Sequence, residues 1–159
     1  MGLDATVYCD CYEIGKLGEP PPDPTSIYVA PDGSLACRSD DLETLIAFDQ
    51  WLRERACEHK DGVLLHHYIG NIALVALLRE ELSERANEFP ILLGKVVYDG
   101  VHAGDYLSQE DIKNALRELI LLSEFTTADD KRQLYVKNFY QQMRVLIESA
   151  LSAGKPISF

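Results

Sequence analysis

The sequence predicts an α+β fold: a small, mainly antiparallel sheet made of N-terminal strands and one C-terminal strand, covered by about four helices. Three observations carry that expectation. Residues 3–9 alternate, with Leu3, Ala5, Val7 and Cys9 on one face and Asp4, Thr6 and Tyr8 on the other, which is the period of a half-buried strand. Two segments, opening at Ser108 and at residues 127–130, follow a capping residue with apolar side chains at helical spacing. The chain closes on Pro156-Ile157-Ser158-Phe159, which reads as an edge strand because a proline at its start is harmless there. With 159 residues, 47% of them hydrophobic and 26% charged, the chain reads as a single domain over residues 1–159, long enough to bury a core.

Taken in order, the first strand should keep its alternation and place Cys11 on the face of Cys9. The run Glu19-Pro20-Pro21-Pro22-Asp23-Pro24 lacks the backbone donors for helix or central strand and is an extended surface loop. Residues 27–30 and 34–38 flank Pro31-Asp32-Gly33 and form a hairpin that carries Cys37 beside Leu35. Asp40 with Glu43 caps a helix. Its inward stripe is Leu42, Leu45, Ile46, Leu52 and Ala56, widened by Phe48 and Trp51, and it stops near Lys60-Asp61-Gly62. Residues 63–67 suit either a short strand or the lead-in to the next helix. Residues 71–78 are apolar all the way round, the pattern of a central helix packed on every side.

Residues 90–98 form a short buried segment of unsettled type, and 99–105 a turn-rich loop. Ser108 caps a helix with Ile112, Ala115, Leu116, Leu119 and Ile120 inward. Residues 127–130 cap the last, long helix, whose buried stripe is Val136, Phe139, Met143, Leu146, Ile147 and Ala150, and Gly154 ends it.

The net charge is −11, from 26 acidic and 15 basic side chains, spread over most of the chain. Such a surface repels polyanions and speeds encounter with basic proteins, which argues against nucleic acid as a partner. No apolar window long enough to span a membrane occurs. The N-terminus lacks a secretory pattern, which makes the cytoplasm the expected location. Met1-Gly2-Leu3-Asp4-Ala5-Thr6 matches the loose myristoylation pattern, but the stretch already reads as a core strand.

Four cysteines in such a chain read as reduced thiols or metal ligands. Cys9-x-Cys11, Cys37 and Cys57-x-His59 are candidate ligands, with His66, His67 and His102 able to add imidazoles. Against this stands the absence of the usual Cys-x2-Cys and His-x3-His spacings. Two cysteines alternating on a regular strand also hold their sulfurs too far apart to chelate unless the strand bends. The competing interpretation makes Cys9, Cys11 and Cys37 small buried hydrophobes. A hydrolytic arrangement would combine His66-His67 with His102-x-x-Asp105. The set carried forward for zinc, or for a metal-dependent hydrolase, is Cys9, Cys11, Cys37, His66, His67, His102 and Asp105. An interaction surface would instead draw on Tyr8, Tyr12, Tyr28, Asp99 and Tyr106, tyrosines with acidic neighbours that suit a basic protein.

Three stretches, residues 1–11 (MGLDATVYCDC), 64–71 (LLHHYIGN) and 95–105 (KVVYDGVHAGD), together resemble an uncharacterised bacterial protein family that spans essentially the whole chain. That resemblance implies no activity. The layout of elements also resembles small bacterial immunity-type proteins, antidotes that occlude toxin domains. The leading expectation is therefore a non-enzymatic, acidic module that needs no cofactor and binds another, basic protein. The alternative is the zinc-binding or hydrolytic protein above.

Overall fold

The computed structural model describes residues 2–159, so Met1, the first residue of the lipidation-like opening, lies outside the described residues. Its architecture is α+β. The main sheet runs in the order β4-β1-β6-β5, from β1 (Gly2–Tyr8), β4 (Val63–Asn71), β5 (Tyr106–Leu107) and β6 (Ile157–Ser158), with every pairing antiparallel. A separate hairpin joins β2 (Ile27–Val29) to β3 (Leu35–Cys37). Four α-helices complete it: α1 (Leu42–Glu54), α2 (Ile72–Ser83), α3 (Gln109–Ser123) and α4 (Asp130–Ala153).

The alternation of β1 decides where the main core sits. Leu3, Ala5 and Val7 are buried, and α2 and α4 cover that face, with α3 packed against α4. The stripe expected on α4 is the buried one, from Val136 to Ala150. The helix opens on Asp129, whose carboxylate accepts from the Arg132 backbone N–H, and closes on Gly154 in the left-handed region (φ 64).

The structure settles the segments left open by the sequence and corrects others. Residues 63–67 belong to a nine-residue strand, β4, which pairs with nearly the whole of β1 and forms a sheet edge. The closing strand β6 is interior, between β1 and β5. Pro156 falls just before it, so the missing N–H removes no ladder bond. Residues 92–96 form a single π-helical turn, with the buried Glu118 carboxylate accepting from the N–H groups of Ile91 and Leu92, both at 2.8 Å.

Helix α2 buries one face, Val75, Leu78 and Leu82, and leaves Ile72 62% exposed. On α3, Ile112, Ala115 and Leu119 are buried as expected, but Leu116 and Ile120 face outward. Helix α1 is capped by Asp41 rather than Asp40 and ends at Glu54, well before the separate 3-10 turn Lys60–Gly62. It exposes Leu42 and Ile46 and buries Trp51. The Trp51 indole N–H donates to the Glu19 carbonyl at 2.9 Å, which fixes the helix's rotation.

Trp51, Ile27 and Ala56 are the buried members of a second, much smaller core, flanked by Tyr12, Leu17, Leu35, Phe48 and Leu52. The hairpin, α1 and the loop after β1 thus form a peripheral layer whose apolar cluster is separate from the main core. Buried Lys155 ties the two together. Its ammonium pairs with Glu13 and donates to the Gly33 carbonyl at 3.2 Å. Among the described residues no helix is long and apolar enough to cross a membrane.

Candidate metal centre

The ladder of β1 stops at Tyr8, and the chain then turns instead of continuing extended. Backbone hydrogen bonds shape that turn. Cys9 N–H donates to Gly62 O at 2.8 Å, and Lys16 N–H donates to Cys11 O at 2.8 Å. Further along, Gly18 and Glu19 donate to the carbonyls of Ala56 and Arg55 at 2.9 and 3.0 Å. Gly18 comes so close that a Cβ there would lie 2.8 Å from the Arg55 carbonyl oxygen. The loop after β1 is thereby laid along the segment that leaves α1. That segment reverses through Asp61 and Gly62, both with positive φ (55 and 69). Asp and Gly are the residue types that tolerate this.

Between the two segments lie Cys9, Cys11, Cys57 and His59, whose ligand atoms are all within 4.8 Å of one another. Cys9 Sγ is 3.7 Å from Cys57 Sγ. The His59 Nδ1 atom is 3.4 Å from Cys11 Sγ and 3.8 Å from Cys57 Sγ. Cys9 and Cys11 are buried, and Cys57 is partly exposed. Burial, together with the neighbouring thiols of Cys9 and Cys57, pushes the Cys11 thiol up to about 12. Burial also raises Cys9, although the Cys11 backbone N–H pulls it back. Thiols crowded in this way resist ionising unless a cation joins them. Four soft ligands converging on one point can hold a metal ion.

The set expected from sequence is only partly assembled here. Cys9 and Cys11 are in the group, while Cys37 donates to Ser26 Oγ at 3.4 Å on the hairpin and lies outside it. His66 and His67 are neighbours on β4 and point to opposite faces, so they cannot chelate one ion together. His66 lies 3.3 Å from the Asp4 carboxylate, and Nε2 of His67 is buried without a partner among the described residues. The Asp105 carboxylate accepts from Tyr98, not from His102. Among the described residues no other group of three or more potential ligands forms.

Cys57 and His59 complete the group, although the set carried forward from sequence omitted them. Their signal was present as a second x-spaced pair, Cys57-x-His59, matching Cys9-x-Cys11. The residues expected at an interaction surface sit in different parts of the fold. Tyr8 lies on the outer face of β1, and Tyr12 packs on the small core. Tyr28 is covered by the Arg38 guanidinium at 4.1 Å. Asp99 and Tyr106 are exposed near the far end of the sheet.

No family model, no curated protein and no solved structure matches this chain. The resemblance to a bacterial family is therefore carried by its three sequence stretches alone, and the site is argued from its geometry. All four ligand positions come from protein side chains, two from each of two segments 48 residues apart. An ion bound there would cross-link the loop after β1 to the segment after α1.

Proposed function

We propose that the protein is a zinc protein whose centre, Cys9, Cys11, Cys57 and His59, is structural and holds the peripheral layer together. The spacing of the ligand atoms carries this reading. Zn–S bonds of about 2.3 Å and Zn–N bonds of about 2.0–2.1 Å in a tetrahedron give sulfur–sulfur edges of about 3.8 Å and sulfur–nitrogen edges of about 3.6 Å. Of the six separations here, Cys9–Cys57 is 3.7 Å, Cys11–His59 3.4 Å and Cys57–His59 3.8 Å, and all six lie within 4.8 Å. A Cys3His set fills all four positions, which suits a structural rather than a hydrolytic centre, since catalytic zinc keeps a site for water. The size of the second core supports the role: it is small, and small cores commonly depend on such staples.

Native mass spectrometry and bulk metal analysis of untagged protein test the reading. One zinc per chain is expected, retained by Cys37→Ser and lost by Cys57→Ser. Cobalt substitution should give the absorption of a tetrahedral thiolate site. A chain that neither carries zinc nor takes it up on titration refutes the proposal.

The net charge of −11 supports a second, compatible role, docking of a basic protein, with an antidote to a toxin domain as its concrete form. Such binding should weaken steeply as salt rises, and a flat salt response would remove its electrostatic basis.

A further inference from the structure

The motif 98–105 plays no part in the metal centre. It forms one wall of a cleft of about 490 Å³ at the other end of β1, whose remaining walls are residues 2–4, the exposed side of α2 and Phe159. That volume lies in the ordinary range for small-molecule sites. The wall is anchored rather than loose. The Tyr98 hydroxyl donates to Asp105, Asp105 N–H donates to His102 O at 2.8 Å, and Phe159 N–H donates to Asp105 O at 2.9 Å. At Gly100 a Cβ would lie 2.3 Å from the Tyr98 ring, so glycine is what lets that ring fold back over the loop. The ring in turn lies against His102, centroid to centroid 4.3 Å.

The cleft is chiefly apolar, and Ile72 and Val101, two of the more exposed large aliphatic residues, face into it. Its polar groups favour one charge type. Arg79 is the cation in the wall, and its contacts are long: 3.5 Å to the Val97 carbonyl and 3.6 Å to Asp99, whose side chain is 91% exposed. Nε2 of His102 is buried and without a partner among the described residues. Of the acids, Asp4 is engaged with His66, and Asp99 projects into solvent. A guanidinium with weak partners beside an apolar surface suits an oxyanion carried on an apolar body.

We propose that this cleft binds a small, largely apolar carboxylic acid, its carboxylate received by Arg79 and its apolar body lying against Ile72, Val101 and the His102 ring. The site lies apart from the Cys/His cluster and does not depend on zinc being bound there.

The probes are 2-naphthoate, the uncharged 2-naphthalenemethanol and the cationic 2-naphthylmethylammonium. Each is titrated into the full chain and followed by amide and histidine-imidazole NMR. Saturable shifts confined to residues 72–79, 98–103 and the His102 ring are expected for the acid, which should bind about tenfold more tightly than the alcohol. Arg79→Gln should reduce that preference to about twofold while leaving the spectrum of the remaining core unchanged. Equal binding of acid and alcohol, tighter binding of the cation, shifts centred elsewhere, or no saturable shift with any probe would each overturn the assignment.

Discussion

Removing the metal should loosen the peripheral layer and spare the main core. Cys9 and Cys57, like Cys11 and His59, are 48 positions apart. In the chain-entropy model a cross-link over that separation is worth about 4 kcal/mol of loop closure. The two links share one ion and one loop, so their contributions do not add. A loss of about 4 kcal/mol is about a thousandfold in an opening equilibrium. Among the described residues only Ile27, Trp51 and Ala56 are buried in the local core to oppose that opening. Hydrogen exchange read by mass spectrometry, with and without a strong zinc chelator, measures the effect. Amides of residues 9–19, 35–37 and 51–62 should exchange about a thousandfold faster without metal, and those of 136–150 at an unchanged rate. Equal acceleration in both regions would mean that the ion supports the whole fold. No acceleration anywhere would mean that the hydrogen bonds of the two segments suffice, and the structural role would be refuted.

Other perturbations separate the main core from the surface. Met143→Ala, at a fully buried position on α4, should lower stability to urea by about 2–5 kcal/mol. Ser108→Ala removes one half of the capping box of α3 and should cost about 1 kcal/mol in the same assay. Burial pushes the Asp111 carboxyl up, but Lys95 at 2.8 Å and the Ser108 hydroxyl and N–H outweigh it, so its value is lowered. Its contribution is therefore complete above about pH 4 and is lost as the pH falls through the lower folded value. Asp111→Asn should flatten the acid limb of a stability–pH curve, and an unchanged limb would refute the assignment. Leu42→Lys and Ile46→Glu, on the exposed side of α1, should change stability by no more than about 0.5 kcal/mol. A loss of several times that would restore the inward stripe read from the sequence.

What could be read from the sequence follows a physical division. The stripe of α4 and the inward face of β1 were legible because each is settled by the element's own period against a large core. The rotation of α1 was not legible, since its apolar residues offer two faces and the choice falls to Trp51, whose indole reaches a carbonyl 32 positions away. For β4 and β5 the deciding partners were again distant. The two-residue β5 exists only because the C-terminal β6 lies beside it, and no local pattern announces a strand that short.

The metal centre shows the same division at the scale of single side chains. On a regular strand, residues i and i+2 are about 6.6 Å apart along the chain, beyond the 4.8 Å within which these four ligand atoms gather. A Cys-x-Cys pair is therefore a chelating unit only where regular structure has ended. Cys9 stands one residue past β1, and Cys57 three residues past α1, both on backbone free to bend. His66 and His67 stand inside β4, where adjacency puts them on opposite faces. Position relative to the ends of elements, not adjacency in the chain, separates the two groups. Two x-spaced pairs, each just beyond such an end, need only a loop that brings the ends together. Here the backbone bonds of Cys9 to Gly62 and of Gly18 to Ala56 draw those ends together.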